Sequence, residues 1–305
     1  FLWSLPSEER VFNRQQAPTL VLPMPDGSNA SFRVWESSIQ EPALAAKFPE
    51  SRTFAGQGID DPYATIRFDY TPFGFHAQIL SVNGNVYIDP YARGDIHHYV
   101  SYYTRENSRN TGFVCSVPEN AESRLLNVTA GPCRGTQLYK YRLAVACTGE
   151  YAAAVGGTTA ALLHAAIVTT VNRVDGVYEN EVAVRLILIA NNNLLEFLTP
   201  ALDPFSPSAN NDGGILIDES QTFITSIIGT ANFDIGHTFS TGGGGLAGLG
   251  VVCDASSKAL GVTGLSNPVG DDYDIDYVAH EIGHQFGGDH TFNSVTSSCG
   301  GNRNG

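Results

Sequence analysis

Hydrophobic and polar residues alternate along the first third of the chain, in short runs that are separated by turn residues. The runs at 19–38, 64–90 and 96–106 carry the two-residue period that is typical of half-buried β-strands. Within the second run, the sequence from Val82 to Asn85 contains Asn-Gly, which is a strong signal for a tight β-hairpin. The N-terminal residues are therefore predicted to be mainly β.

From Gln137 onward the pattern changes to strands that alternate with helices, which predicts a mixed α/β sheet with helices packed against it. An apolar stretch here is broken by Gly156 and Gly157 and contains His164, so it is interpreted as a core-facing helix near 158–174 and not as a membrane span. The predicted core stripe of this helix consists of Leu163, Ile167, Val171 and Val174.

Composition narrows the class of protein. The 305 residues exceed what one hydrophobic core usually supports, so two structural units are expected. The 31 acidic residues outnumber the 17 basic ones, and the resulting net charge of −14 excludes a nucleic-acid partner because it repels phosphates. Only 16% of the residues are charged, which favours a secreted protein. The chain opens without a basic and apolar leader, so any secretory signal is expected to have been removed or to lie outside this sequence.

The candidate chemistry is concentrated in the segment HEIGHQFGGDH, which begins at residue 280. His280 and His284 are one helical turn apart and present two imidazoles to one ion. Gly287 is predicted to end the helix in a left-handed conformation, so that the chain returns and His290 faces the same ion. Three protein ligands leave one zinc position for a water molecule, whose pKa then falls to about 7 and which Glu281 can reach.

An ordinary amphipathic helix is the alternative to a zinc site. At this chain's own frequencies of histidine and glycine, the five fixed positions would coincide by chance in roughly one chain in 10⁴ to 10⁵. A purely structural zinc site would normally be closed by a fourth protein ligand and would leave Glu281 without a role. A catalytic zinc site is therefore the preferred interpretation.

The segment 280–290 matches the pattern HExxHxxGxxH, and by this motif the chain resembles the metzincin metalloproteases. The strand NFDIGHTFS and the glycine-rich passage after it are similar to sheet strands of the reprolysin-like branch. The resemblance implies that Glu281 acts as the general base and then as the general acid. It also implies that a peptide substrate lies antiparallel along an edge strand. That edge is placed at Leu246, Ala247, Gly248, Leu249 and Gly250.

Two features depart from the family pattern. The only methionine is Met24, far upstream, so the Met-turn and the C-terminal subdomain are expected to be missing and the gene product is expected to continue. Thr291 follows the third histidine, where reprolysins usually have aspartate. The second difference concerns the branch of the family and leaves the zinc ligands unchanged.

The five cysteines are an odd number, so at least one thiol stands outside any internal set of disulfides. Cys115 is predicted to be that thiol and to bind the zinc, which would exclude the catalytic water and keep the enzyme latent. Its surroundings, CSVPE, resemble the cysteine-switch segment of matrix metalloprotease propeptides. The alternative is a buried free thiol or a disulfide partner. The plausible disulfides join Cys253 with Cys299 and Cys133 with Cys147.

A polar and turn-rich segment follows Cys115 and contains Arg134, which is predicted to be the activation cleavage site. Three parts are thus expected. They are a β-rich prodomain over 1–130, an activation linker over 131–136, and the upper subdomain of a metzincin-like α/β catalytic domain over 137–305. The first part resembles the β-rich propeptides that precede reprolysin-like domains.

Two other polar features are interpreted as structural. His237 is expected to be packed or hydrogen-bonded within its strand. The acidic sequence DDYDID at 271–276 is interpreted as negative charge that caps a helix N-terminus, with a calcium site as the alternative.

These features predict a secreted zinc endopeptidase in zymogen form, which acts on protein or peptide substrates and is inhibited by its own prodomain. One alternative is a catalytically silent, zinc-containing module that binds peptides, and an intact Glu281 argues against it. Another is a fragment that is inert because its lower subdomain was lost.

Overall fold

A computed structural model of the chain describes residues 1–11, 13–107, 115–117, 137–242 and 244–290. These residues form two β-sheets, one in an N-terminal unit (residues 1–107) and one in a C-terminal unit (residues 137–290). Residues 115–117, hereafter the cleft segment, lie against the second sheet. The linker expected at 131–136 lies outside the described residues, so the division into prodomain and catalytic domain stays a prediction.

The first sheet is a meander in which each strand pairs antiparallel with the next along the chain. Its strands are β1 Thr19–Pro23, β2 Asn29–Glu36, β3 Arg52–Gly58, β4 Thr65–Thr71, β5 Gly74–Leu80, β6 Val86–Pro90 and β7 Tyr99–Tyr103, with the short helix α1 Pro42–Ala45 between β2 and β3. Phe32, Phe54 and Phe68 lie in its core. The turn at 81–85 joins β5 to β6 as the Asn-Gly signal predicted, and the unit is mainly β.

The C-terminal unit alternates strands with helices. Its elements are β8 Tyr139–Cys147, α2 Gly149–Ala154, α3 Ala160–Glu181, β9 Val184–Leu188, α4 Gly213–Ile228, β10 Ile235–Ser240, β11 Gly245–Ala247, β12 Gly261–Gly264, a π-helix Asp272–Ala279 and α5 His280–Gln285. The strand order is β11-β12-β10-β8-β9, and only the edge strand β11 runs antiparallel to its neighbour. This is the mixed sheet that the alternation predicted, although antiparallel pairs predominate over the two sheets together.

Helix α3 lies between the two sheets. It contains the predicted core stripe Leu163, Ile167, Val171 and Val174, all fully buried. Its other face packs on β4 and β5 of the first sheet. At Gly176 a Cβ atom would overlap the side chain of Gln78, so helix and sheet are in direct contact there. Among the described helices, none combines the length and apolar character that crossing a bilayer requires.

Buried arginines join the N-terminal unit to the C-terminal unit. Their ion pairs are Arg67 with Glu179, Arg173 with Asp89, and Arg185 with Glu8. Because each of these arginines is at most 5% exposed, removal of one carboxylate would weaken the compensation of a buried charge. The two units are therefore held together by specific contacts as well as by apolar packing.

The acidic segment 271–276 places Asp272 and Asp274 in the first turn of the π-helix, where negative charge was predicted. Asp271 precedes the π-helix but makes no side-chain capping bond. Asp274 is buried and accepts hydrogen bonds from Thr170 at 2.6 Å and from Arg173 at 3.0 Å. Asp274 thus also makes tertiary contacts, which local sequence does not display. These contacts also differ from the cage of oxygen ligands that calcium requires.

Candidate metal centre

Three histidines converge at the end of α5. His280 and His284 lie one turn apart in this helix, and Gly287, with a φ angle of +96°, ends it so that His290 returns to the same point. The Nε2 atom of His284 is 3.0 Å from that of His280 and 3.1 Å from that of His290. The Nε2 atoms of His280 and His290 are 3.1 Å apart. The structure thus brings together the three residues that the motif predicted as ligands.

Cys115 joins this group from a distant part of the chain. Its Sγ atom lies 3.5 Å from His284 Nε2. One ligand atom from each of the four residues lies within 4.8 Å of the other three, and no other cluster with metal-ligand spacing occurs in the described part of the chain. Burial raises the pKa of the Cys115 thiol to about 12, so only a nearby cation would favour the thiolate at neutral pH.

The donor set fits a tetrahedral zinc ion. Zinc binds imidazole nitrogen at about 2.0–2.1 Å and thiolate sulfur at about 2.3 Å, so two nitrogen ligands stand about 3.3 Å apart and nitrogen and sulfur about 3.5 Å apart. The observed separations are 3.0 to 3.1 Å between nitrogens and 3.5 Å between nitrogen and sulfur. The arrangement can therefore close around one ion with little movement.

The protonation of the histidines suits metal binding. Burial lowers the pKa of His280 to about 4, with a further contribution from the charges of His284 and His290, so the ring is neutral. Burial also lowers the pKa of His284. The Nδ1 atom of His284 lies 2.6 Å from the Gly288 carbonyl oxygen and must donate to it, which leaves the Nε2 lone pair for the ion.

Glu281 is fully buried beside these ligands. Neither carboxylate oxygen accepts a hydrogen bond of normal geometry from a described residue. Burial raises the pKa of this carboxyl to about 8, an effect that the nearby Cys115 thiol partly offsets. A buried carboxylate whose oxygen atoms accept no hydrogen bond is stabilised by a nearby cation. It can also accept a proton from a ligand of that cation. Glu281 is thereby placed for general acid–base chemistry near neutral pH.

The cleft segment lies beside β11, the edge strand of the second sheet. Cys115 and Gly245 form a parallel β-bridge, and the Ser116 amide donates to the Gly245 carbonyl oxygen at 2.8 Å. Val117 is buried. An antiparallel peptide substrate, which the family resemblance implies, would use the same backbone edge in the opposite direction. The cleft segment therefore pairs with β11 at Gly245, directly before the residues that were predicted to bind substrate.

The edge strand is shorter than predicted. Leu246 and Ala247 lie in β11, whereas Gly248 follows the strand and Leu249 and Gly250 lie in a turn. The strand stops because the chain turns towards α5, where the Gly250 amide donates to the His284 carbonyl oxygen at 3.0 Å. The placement of these last three residues in the edge strand was therefore wrong.

Gln285 anchors α5 to the sheet, and sequence reasoning did not single it out. His237 of β10 contacts Gln285 Oε1 through Nδ1 at 2.9 Å and the Thr263 hydroxyl through Nε2 at 2.8 Å. Gln285 Nε2 donates to the Gly236 carbonyl oxygen at 2.8 Å. Burial lowers the pKa of His237 to about 4, so the ring is neutral, with Nδ1 donating and Nε2 accepting. His237 is thus hydrogen-bonded as predicted, but no local signal connects it with a residue 48 positions away.

The remaining predicted residues lie outside the described part of the chain. They are the cleavage site Arg134 and the cysteines Cys133 and Cys299. The described cysteines, Cys115, Cys147 and Cys253, form no disulfide with one another. Both proposed disulfides therefore stay predictions.

A match to a family model agrees with this chemistry. A family model described as metallopeptidase family M12B, reprolysin-like, matches residues 138–304, which include the three histidines. Among solved structures, metalloproteinase-II from Bacteroides fragilis is similar at 13% sequence identity and a TM-score of 0.47, over 97% of this chain and 89% of that chain. No significant match was found among curated protein sequences.

Proposed function

Since the chain belongs to the reprolysin-like metallopeptidase family M12B, we propose that this zinc metalloendopeptidase is a secreted enzyme made as a latent zymogen. The hydrolytic activity follows from the family. Latency, secretion and the roles of single residues are the proposal. The observation that carries it is the position of Cys115, whose sulfur joins the three-histidine group while its backbone pairs with β11.

Zinc held by His280, His284 and His290 would supply a Lewis acid that polarises the scissile carbonyl and makes water nucleophilic at neutral pH. Glu281 would take up the proton that the attacking water loses, and its raised pKa would let it pass this proton to the leaving amine. The β11 backbone would hold the peptide main chain through the groups that bind the cleft segment here.

Latency would arise because the cleft segment occupies two positions that catalysis needs, one on the zinc and one on the β11 backbone. Cys115 supplies a fourth ligand, and a site closed by four protein ligands has no position for water. The Ser116 amide meanwhile uses a backbone acceptor on Gly245 that a substrate needs. Cleavage at Arg134 is proposed as the activating event, because that residue lies between the cleft segment and the C-terminal unit in sequence.

Location outside the cytoplasm is proposed on composition, since only 16% of the residues are charged and glycine and aromatic residues are abundant. We expect the folded protein in the culture medium of the source cells. Retention of the protein within the cells would contradict this part of the proposal.

The full chain carrying Cys115→Ser tests the role of the thiol. This variant is expected to hydrolyse a denatured, fluorescently labelled protein at a rate at least about tenfold above wild type, because the fourth ligand is lost. Cys253→Ser is the matched control, since Cys253 is exposed and lies outside the metal group, and a reducing buffer keeps its predicted disulfide with Cys299 open in all three proteins. Equal activity of wild type and Cys115→Ser would show that Cys115 does not cause latency.

Glu281→Gln, made in the Cys115→Ser background, tests the catalytic assignment. We expect activity to fall by about 10²-fold or more while metal analysis still finds one zinc per chain. If the zinc-loaded Cys115→Ser protein binds peptides without cleaving them, a silent binding module would replace the present proposal. Loss of zinc together with activity would show that Glu281 holds the site together instead of transferring protons.

A further inference from the structure

A short segment of the N-terminal unit, residues 39–48 (the clip), is built into the C-terminal unit at the sheet edge opposite β11. The Leu188 amide donates to the Ile39 carbonyl oxygen at 2.8 Å, and the Glu41 amide donates to the Leu188 carbonyl oxygen at 2.9 Å. Through this parallel bridge the clip extends the second sheet beyond β9. The C-terminal end of the edge that β9 would otherwise present, at Leu188, is thereby covered.

Apolar side chains of the clip belong to the core of the C-terminal unit. Ile39 and Leu44 are fully buried, and Phe48 is 7% exposed. They pack in one cluster with side chains of β8, β9 and α3. Departure of the clip would expose this apolar surface to water, so the clip contributes hydrophobic binding energy that does not depend on zinc.

A buried histidine recognises the clip. His164 of α3 contacts Gln40 Oε1 through Nε2 at 2.7 Å, and its ring stacks on Phe48 with the ring centroids 3.9 Å apart. The Gln40 amide nitrogen donates to the Ser51 carbonyl oxygen at 2.9 Å, which directs the amide oxygen towards His164. The other ring nitrogen of His164 lies 2.9 Å from Glu196 Oε1. The clip position is therefore specified by paired polar groups as well as by shape.

The residues before Arg134 contact the C-terminal unit at two separate places, through the clip at the β9 edge and through Cys115 at the metal centre. Three strands lie between β9 and β11, so four spacings of about 4.8 Å put the two edges about 19 Å apart. The clip and Cys115 both precede Arg134 in the chain. A cut at Arg134 would thus leave Cys115 covalently joined to the clip.

We propose that the β9 edge and the apolar pocket beneath it are a docking surface for the clip, and that this surface retains the N-terminal residues after the linker is cut. The idea rests on the proposed zymogen function. While the clip is bound, the return of Cys115 to the zinc is intramolecular, at an effective concentration on the order of millimolar. Cleavage alone therefore leaves the enzyme latent, and activation needs dissociation or further cleavage of the N-terminal residues.

The retention is tested by placing a site for a sequence-specific protease at Arg134 in the full chain. After cutting at micromolar concentration, the two fragments are expected to co-elute in gel filtration, both for wild type and for Cys115→Ser. Separation of the cut wild-type fragments would overturn the proposal. Separation of the cut Cys115→Ser fragments alone would also overturn it, because the zinc–sulfur bond would then be the effective attachment.

Variants of the clip test its specificity. Gln40→Ala leaves the Nε2 atom of the buried His164 without its partner in the clip and is expected to raise the dissociation constant of the cut fragments about tenfold or more. Gln57→Ala is the matched control, because Gln57 donates to carbonyl oxygens of Pro62 and Ala64 within the N-terminal unit. The same dissociation constant for both variants would contradict the proposal.

A variant at an exposed residue of the clip tests the contact without disturbing the buried core. Lys47→Ala removes an exposed hydrogen bond of 2.7 Å to Asn193 and is expected to raise the same dissociation constant roughly threefold. The ion pairs along α3 add to the attachment, so the variants are compared by dissociation constant and not by complete release. No effect of either clip variant would refute the docking role.

The two proposals fail in different ways. Gel filtration reports retention without any activity, so a chain that lacks peptidase activity still tests the clip. For an active chain, cut wild type is expected to stay latent at micromolar concentration and to hydrolyse a denatured protein after dilution below the dissociation constant. Full activity of the cut wild type before dilution would overturn the retention of Cys115.

Discussion

The backbone of Gly245 in β11 packs directly against the side chain of Glu281 in α5. A Cβ atom at residue 245 would overlap the Glu281 carboxylate and lie 2.7 Å from its Cγ atom. The same glycine accepts the hydrogen bond from Ser116 in the cleft segment. Gly245 therefore sets the position of the carboxylate and the line of the sheet edge that the cleft segment follows, although it has no side chain of its own.

Gly245→Ala is expected to lower kcat/KM about 10²-fold in the Cys115→Ser background, because the added methyl group displaces Glu281 from its position beside the metal. Hydrolysis of a labelled peptide measures this change. Gly283→Ala is the control, since a Cβ atom there would meet only the Tyr178 hydroxyl, at 3.4 Å, even though Gly283 lies between two of the histidines. An equal decrease of kcat/KM in the two variants would show that any methyl group added near the site lowers activity.

His237→Leu is expected to destabilise the fold by roughly 2–4 kcal/mol, because Gln285 and Thr263 would each lose a buried hydrogen-bond partner. Denaturant unfolding measures this loss. Thr263→Val removes one of the two bonds and should cost about half as much. Because Gln285 is adjacent to His284, zinc affinity should also fall, and it should fall more in His237→Leu than in Thr263→Val. An unchanged affinity in His237→Leu would argue against a role of His237 in positioning His284.

The ion pair between Glu8 and Arg185 predicts an acid-sensitive contact between the two units. Burial would raise the pKa of Glu8, but the hydrogen bonds and charge of Arg185 outweigh it and lower the pKa from 4.5 to about 2. The stabilisation is therefore fully present above pH 4.5 and is lost as the pH falls through 2.

Glu8→Gln should accordingly lower the free energy of unfolding by roughly 1–3 kcal/mol at pH 7, with allowance for partial exposure. The difference between wild type and variant should shrink as the pH falls from 5 towards 2. Glu9→Gln is the control, because Glu9 is exposed and adjacent in sequence. A difference that stays constant over this range would mean that the charge of Glu8 is unimportant.

Metal release is expected to be faster from Cys115→Ser than from wild type, because three protein ligands would hold the ion in the variant and four in the proposed latent chain. A chromophoric chelator in excess allows the release rate to be followed directly. We expect at least about a tenfold difference in rate. Cys253→Ser should release metal as wild type does, and a wild-type rate in Cys115→Ser would place the thiol outside the coordination sphere.

Some parts of the site were accessible from sequence because they depend on local geometry. The four-residue spacing of His280 and His284 places both rings on one face of any α-helix, and Gly287 permits the return that brings in His290. The buried stripe of α3 likewise follows from helical periodicity. Local pattern did not predict where β11 ends, since its last residues follow a hydrogen bond to α5 and not the alternation of side chains.

The sequence by itself determined the metal-ligand pattern, the change from a mainly β part to an α/β part, and the family. Only the tertiary structure decided which distant residues meet: Cys115 with His284, Gly245 with Glu281, and Gln40 with His164. The reason is physical, because periodicity reports which face of an element is buried but contains no information on strand order or on the distance between packed elements. The parallel bridge of Cys115 to Gly245 and the contacts of the clip became visible only in the structure, where two segments of the chain lie against the two opposite edges of one sheet.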